Sequence, residues 1–258
     1  TLKGDMMDNT FKDRLTAGEA LYGTLITLSC PDIADIFSRT GLDYVWIDAE
    51  HGTPDMAQAQ RMVQAAGGRC AAVVRVPAAE EVWVKKALDT GCDGIVVPQV
   101  KTRAEAEAAV RWSFYPPLGE RSVGVARAHG YGMDFNTYIE HANRRTALIL
   151  QIEHISAVEN IEDILTVSGV DALFTGPYDL SNSMGRPGKV GDENVQAAVN
   201  TVREACLKAK MPLGIFTADA GSAADFRQQG YSLIACSMDS FFIWQGASGM
   251  LKAAAGRD

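Results

Sequence analysis

The sequence has no apolar run long enough to cross a bilayer, no CxxC pair and no excess of positive charge. The first absence removes a helical membrane span, which needs about 18 or more consecutive apolar residues. The five cysteines (Cys30, Cys70, Cys92, Cys206 and Cys236) are odd in number and widely spaced. They suggest neither a disulfide framework nor a thiolate zinc site, and read as small buried groups in a reducing compartment. With 24 Lys and Arg against 32 Asp and Glu, the net charge of −8 argues against general attraction to nucleic acid or anionic membrane. Nucleotide and nucleophile motifs are also missing: there is no GxxxxGK[ST], no GxGxxG between a strand and a helix, and no GxSxG elbow. The opening stretch, TLKGDMMDNTFKDRLTAGEA, lacks the apolar centre of a secretion signal, so a cytoplasmic location is expected. The partners left by these exclusions are small molecules.

Composition, at 47% hydrophobic and 22% charged, is that of a folding globular chain, and 258 residues suit one α/β barrel. A single domain over residues 1–258 is therefore the expectation. Eight short β-branched runs recur: YGTLITL, DYVWID, AAVVRV, GIVVPQ, ALILQIE, DALFTG, LGIFT and SLIACS. Between them lie segments such as TPDMAQAQRMVQAAG, EEVWVKKALDTG, RAEAEAAVRWSF and NVQAAVNTVREACLKAK, with apolar residues three or four apart and Gly near several ends. Strands alternating with helices imply crossovers and a parallel sheet, and eight such units in this length predict a closed (β/α)8 TIM barrel. The longest interruption, residues 115–145, is rich in Gly, Pro, Arg and aromatics and reads as a lid or an interface arm. The closing stretch SFFIWQGASGMLKAAAG predicts an extra C-terminal helix that covers the barrel or packs on another subunit.

In such a barrel the C-terminal strand ends share one face, where barrel enzymes build their sites. Those positions carry Asp48, Glu50 and His51, then Arg75, Gln99, Gln151, Glu153, His154, Asp179, Thr217 and Asp219. Glu153 and Asp179 come from neighbouring strands, and two carboxylates that close need a proton or a cation between them. Oxygen donors without thiolates favour Mg²⁺ or Mn²⁺ over zinc. Taken singly, Glu153 reads better as the partner of an arginine and Asp179 as the cap of the next helix, but together at one barrel face they favour the metal. Arg75 calls for an anion, supplied by a substrate carboxylate or by the protein's own. His51, beside Asp48 and Glu50 and before Gly52, suits proton transfer in a turn open to a ligand, or is a hydrogen-bonded structural residue. Asp48 reads as tying down its own loop. His129 and His141 are expected at the surface, and His154 in a supporting place. Asp219, if it faces the mouth, disfavours an anionic ligand there.

The stretches DYVWIDAEHG, VVRV, LDTGCDGIVVPQV, YPPLGERSVGVARA, LILQIEH and VDALFTGPYDLSNSMG occur in order from about residue 20 to residue 240. Together they resemble the HpcH/HpaI family of class II, metal-dependent pyruvate aldolases, of the 4-hydroxy-2-oxoheptanedioate and 2-keto-3-deoxy-L-rhamnonate aldolase type. The resemblance implies a lyase that cleaves and forms 4-hydroxy-2-oxo acids, with a 2-oxo acid and an aldehyde as small-molecule partners. It implies Glu153 and Asp179 as ligands of Mg²⁺ or Mn²⁺, with Co²⁺ a third option. Arg75, Gln151, Gly176 and Pro177 are then expected at the substrate, and His51 with Asp89 as the proton-transfer pair. It further implies a homo-hexamer, a trimer of dimers exchanging the C-terminal helix. Asp89 lies toward a helix end, so its role calls for a neighbouring subunit. The rival readings are a lyase like the citrate lyase β subunit, acting on acyl-CoA or citramalyl substrates, and a non-catalytic barrel that binds a 2-oxo acid.

Overall fold

A computed structural model describes residues 9–256, so the expected span of 1–258 extends beyond the described residues at both ends. All eight predicted runs form strands: β1 (Leu21–Ile26), β2 (Tyr44–Asp48), β3 (Ala71–Arg75), β4 (Gly94–Val97), β5 (Ala147–Ile152), β6 (Ala172–Thr175), β7 (Leu213–Thr217) and β8 (Leu233–Met238). They pair in parallel in sequence order, and β8 returns to β1 to close the barrel. The described helices are α1 (Phe11–Thr16), α2 (Pro31–Ser38), α3 (Met56–Ala66), α4 (Glu81–Asp89), α5 (Arg103–Ser113), α6 (Phe135–Arg145), α7 (Ile155–Glu159), α8 (Ile161–Leu165), α9 (Pro177–Ser183), α10 (Glu193–Ala209), α11 (Ala220–Gln228) and α12 (Asp239–Ala255).

Side chains alternate across each strand, and the alternation sorts the core into two separate clusters. Val45, Ile47, Val74, Ile95, Leu150 and Ile234 face outward and pack with the helices. Tyr44, Trp46, Val73, Val96, Ile149 and Phe174 form the other cluster, inside the barrel. Because both faces are covered, β2, β4, β5 and β6 are buried at every residue. The interior is filled by pairing large residues with glycine. A Cβ on Gly23 would lie 2.5 Å from ring atoms of Tyr44, and one on Gly214 would lie 2.3 Å from the ring of Phe174. The helix α1 closes the lower end by adding Phe11 and Leu15 to the inner cluster, with the Phe11 ring 5.7 Å from that of Tyr44.

The two ends of the barrel use their acids differently. At the strand starts, Asp43, Asp93 and Asp171 each accept the N–H of a residue on the preceding strand (Tyr22, Ala72 and Leu148), all at 2.8 Å. These bonds lock strand to strand. At the strand ends the next inward step beyond Trp46, Val73 and Ile149 brings Asp48, Arg75 and Gln151, so the inner face changes from apolar to ionic.

The segment 115–145 is not wholly irregular, since α6 occupies its second half, preceded by a 3₁₀ turn at Arg127–Gly132. His129 there is buried rather than at the surface. Its ring sits edge-on to Phe135 and Tyr138, and the Ala126 N–H donates to its Nε2 at 3.0 Å. Only the start of the helix α12 meets the barrel, where Phe241 reaches the mouth. Asp239 anchors it by accepting the Thr27 and Leu28 N–H groups, while Phe242, Ile243, Trp244, Met250 and Leu251 remain exposed. Among the described residues no helix is long and apolar enough to cross a membrane.

Gly23→Ala should destabilise the fold by about 1–3 kcal/mol through overpacking against the fully buried Tyr44 ring. Urea unfolding measures this, and an unchanged midpoint would contradict the packing described.

Candidate active site

Asp48 and Arg75 end adjacent strands and face each other in register. Their pairing is a fork: Arg75 Nε donates to Asp48 Oδ1 at 2.9 Å, and Nη2 to Oδ2 at 2.6 Å. Asp48 Oδ1 also accepts the N–H groups of Glu50 and His51, at 3.1 and 3.2 Å, so the acid does tie down its own loop. Gly52 closes that loop tightly. A Cβ there would lie 2.2 Å from the Asp48 carbonyl oxygen, so close approach of the backbone, rather than ligand access, requires glycine. Of the two readings of Arg75, the protein's own carboxylates do hold it. Its Nη1 lies 3.2 Å from Glu50 Oε2 and 3.4 Å from Gln151 Oε1, and its guanidinium is over the Trp46 ring at 5.6 Å.

The end of β5 supplies a second acidic centre. Gln99, with φ of 56°, turns its N–H to Glu153 Oε1 at 2.8 Å, and Gln151 Nε2 donates to Glu153 Oε2. Gly176 lies so close that a Cβ would meet Glu153 Oε2 at 2.8 Å and Gln151 Nε2 at 3.1 Å. Pro177 then starts α9 with its φ preset, and Asp179 falls in the first turn. The expected alternatives for the two acids do not hold. Glu153 makes no ion pair among the described residues, and α9 has no side-chain cap hydrogen bond, so Asp179 is not its cap.

Charge at this mouth is unbalanced. Burial works against ionisation of Asp48, but the hydrogen bonds and charge of Arg75, with the two loop N–H groups, hold its carboxyl below the usual range. Burial pushes the Glu153 carboxyl up to about 7, with the negative charges of Glu50 and Asp179 adding to the rise against the Gln99 hydrogen bond and the charge of Arg75. Burial likewise raises Glu50, against the pull of Arg75 and His51. Glu50 Oε2 is buried and receives no hydrogen bond despite its closeness to Arg75. No group of three or more His, Cys, Asp or Glu among the described residues is gathered to hold a metal unaided.

A cavity of about 590 Å³ opens here, lined by Trp46, Asp48, His51, Arg75, Gln151, Gly176, Pro177 and Asp179 together with an apolar wall. Glu153 sits directly behind Gln151 and Gly176. His51 is at the rim with its side chain 61% exposed and Nε2 3.8 Å from Glu50 Oε2. Asp89 is elsewhere in the chain. It ends α4 and pairs with Arg121 Nη2 at 2.8 Å, and no contact joins it to His51 among the described residues. His154 caps α7, its Nδ1 accepting the Ser156 N–H at 3.1 Å. Asp219 does not line the cavity. It caps α11 through Ser222 N–H at 2.9 Å, which holds its carboxyl low and removes the ground for reading it against an anionic ligand. From the sequence Glu50 reads only as one polar residue at a strand end, and Trp46 and Phe174 are not among the expected site residues. The period-two spacing Trp46 to Asp48 was the signal for the first of these.

The sequence profile of the HpcH/HpaI aldolase/citrate lyase family matches residues 22–245. The chain is 38% identical over 250 residues to a 4-hydroxy-2-oxovalerate aldolase of Novosphingobium aromaticivorans, covering 95% of this chain and 94% of that one. It is 37% identical over 243 residues to a hydroxypyruvate/pyruvate aldolase of Paraburkholderia phytofirmans, covering 91% and 93%. Among solved structures, an HpcH/HpaI aldolase/citrate lyase family protein from Burkholderia cenocepacia J2315 superposes with a TM-score of 0.91 at 34% identity, covering 95% of this chain and 98% of that one. Solved citrate lyases stand further off, at 14% and 15% identity, and share the fold alone.

Raising the Glu153 carboxyl makes stability depend on pH with a definite sign. The contribution is fully present below the unfolded value near 4.5 and is lost as pH rises through about 7. Without added metal, wild-type protein should lose roughly 3 kcal/mol from this group between pH 4.5 and 8, and Glu153→Gln should lack that slope. Urea unfolding in EDTA at both pH values checks this. Parallel slopes for the two proteins would contradict it.

Proposed function

The chain belongs to the HpcH/HpaI aldolase/citrate lyase family, and from that premise we propose that it is a class II aldolase cleaving and forming 4-hydroxy-2-oxo acids. The products of cleavage are pyruvate, or a related 2-oxo acid, and an aldehyde. The observation that carries this reading is the charge at the mouth: among the described residues one arginine, Arg75, is set among Asp48, Glu50, Glu153 and Asp179, with His51 at the rim. Relatives named as aldolases cover nearly the whole chain, whereas the citrate lyases share only the fold, which favours cleavage of oxo acids over the acyl-CoA and citramalyl reading.

A divalent ion fits these residues. The donors are hard carboxylate oxygens, Glu50 Oε2 is buried without a hydrogen bond, and the charges of Glu50 and Asp179 oppose ionisation of Glu153. Mg²⁺ and Mn²⁺ take one or two carboxylates and keep their other positions for water and substrate, so a two-carboxylate site suits them. Glu153, which accepts hydrogen bonds from Gln99 and Gln151, and Asp179 are the residues that would hold the ion. When bound, the ion supplies fixed positive charge beside the keto oxygen of a 2-oxo acid, where negative charge develops during cleavage.

The remaining work falls to the chain itself. Arg75 keeps its orientation through the Asp48 fork and offers Nη hydrogens to the oxo acid, whose carboxylate and developing enolate oxygen it stabilises. Gln151 hydrogen-bonds nearby, and Gly176, whose missing Cβ lets the backbone pack against Glu153 and Gln151, lines the cavity with Pro177. His51 takes the proton of the 4-hydroxyl. The C3–C4 bond then breaks, the aldehyde leaves, and the electron pair passes into the pyruvate enolate, which is protonated at C3. Asp89 completes the proton-transfer pair from a neighbouring subunit, in a hexamer whose dimers exchange α12. The exposed apolar residues of α12 support that assembly.

Pyruvate release from 4-hydroxy-2-oxopentanoate should require added Mg²⁺ or Mn²⁺ and stop with EDTA, and turnover insensitive to chelation would overturn the metal assignment. In Mn²⁺ binding measured by electron paramagnetic resonance, Glu153→Gln should lose the ion. His51→Ala should retain it while kcat falls roughly 10²–10⁴-fold. Equal loss of Mn²⁺ in both variants would show the roles to be wrongly divided.

A further inference from the structure

The cavity is divided by charge. Its ionisable and amide side chains (Asp48, His51, Arg75, Gln151, Tyr178 and Asp179) all lie at the ends of β2, β3 and β5 or just after β2 and β6. The wall contributed by β7, β8 and β1 carries Leu25, Phe216, Ala218, Met238 and Phe241, with only the hydroxyl residues Thr27 and Ser237 among them. The Thr27 hydroxyl is already committed, donating to Asp239 Oδ1 at 2.8 Å. Asp239 is fully buried, and backbone N–H groups of Thr27, Leu28 and Ser240 occupy the rest of its carboxylate, so that acid turns away from the cavity.

Local backbone geometry builds this wall. Gly23 pairs with Ala235 and Leu25 with Met238, so Cys236 and Ser237 together stand opposite Thr24 in a bulge. Ser237 takes a φ of 60° there, an uncommon conformation for a residue with a Cβ. The extra residue turns β8 at its end, where Met238 and, one helical turn into α12, Phe241 line the cavity opposite the acids.

At about 590 Å³ the cavity has room for much more than a three-carbon oxo acid. Resting on the aldolase reading, which puts that acid beside Arg75 and Gln151, the geometry points to an uncharged acceptor aldehyde with an apolar alkyl or aryl body laid against the Leu25–Phe216–Met238–Phe241 wall. An aldehyde ending in a carboxylate, sulfonate or phosphate would lose its hydration against that wall, which carries no cation among the described residues of this chain. An apolar body of the same shape would gain by leaving water. The site thus selects by charge at the acceptor end, while the donor end selects for a 2-oxo acid.

A matched pair of acceptors tests this. 4-Methylpentanal and succinic semialdehyde share a chain and differ in an isopropyl group against a carboxylate. In aldol addition with pyruvate and Mn²⁺, kcat/KM for 4-methylpentanal should be at least tenfold higher, and equality or preference for the semialdehyde overturns the inference. Ala218→Arg, which sets a cation on the same wall, should shift the ratio at least tenfold toward the semialdehyde; an unchanged ratio in the folded variant also overturns it. Exchange of solvent deuterium into the pyruvate methyl group, run on the wild-type enzyme, separates the two levels. Absence of exchange removes the aldolase reading itself, whereas exchange with the wrong acceptor preference removes only the specificity.

Discussion

One buried guanidinium faces more negative charge than it can neutralise. Arg75 gives two hydrogen bonds to Asp48 and stands beside Glu50, and neither Glu153 nor Asp179 has an ion-pair partner among the described residues. Like charges in a poorly solvated place are tolerated only when a proton or a cation joins them. The protein therefore carries at this mouth a standing demand for positive charge. A reaction that makes an enolate creates negative charge that fixed positive charge must meet, and a divalent ion held by these carboxylates would supply that charge.

The barrel makes this arrangement by the same alternation that makes its core. Inner positions of β2, β3 and β5 run from Tyr44, Val73 and Ile149 toward Asp48, Arg75 and Gln151, with no change in strand geometry at the boundary. Large inner residues are accommodated by glycines on other strands, and the lower end is stopped by Phe11 and Leu15. Acids at the strand starts are consumed by backbone N–H groups of neighbouring strands. Stability and chemistry thus occupy opposite ends of one stack of side chains, as the fold generally permits.

Much of this is legible in the residues alone, for reasons that differ by element. The eight strands are short β-branched runs set off by turn residues and buried on both faces, which leaves a strong local signal. Less was available for α1, whose signal is the capping box of Thr10 and Asp13 rather than any length of periodicity. In α6 Phe135, Tyr138, Ile139 and Ala142 do recur at helical spacing, but only Ala142 is buried and the Gly- and Arg-rich stretch before it masks the stripe, while His129 is buried by aromatic neighbours that no spacing rule connects to it. Glu153 and Gln151 could be read because they continue an inner face. The Asp48–Arg75 fork could not, because the register between parallel strands is set by the whole barrel. Asp219 precedes Ser222 by three residues, the spacing of a helix cap, and that local rule outweighed its place at a strand end. Asp89 carries no site signal within the chain and stands on the family resemblance.

The crowding of carboxylates around Arg75 is tested most directly by carboxyl ¹³C NMR of glutamate-labelled protein, titrated with and without Mg²⁺. The Glu153 resonance, assigned by its absence in Glu153→Gln, should titrate near 7 in metal-free protein and move to distinctly lower pH when Mg²⁺ is supplied. A Glu153 carboxyl that titrates near 4.5 and ignores Mg²⁺ would mean that no excess of negative charge exists at the mouth, and the account would fail.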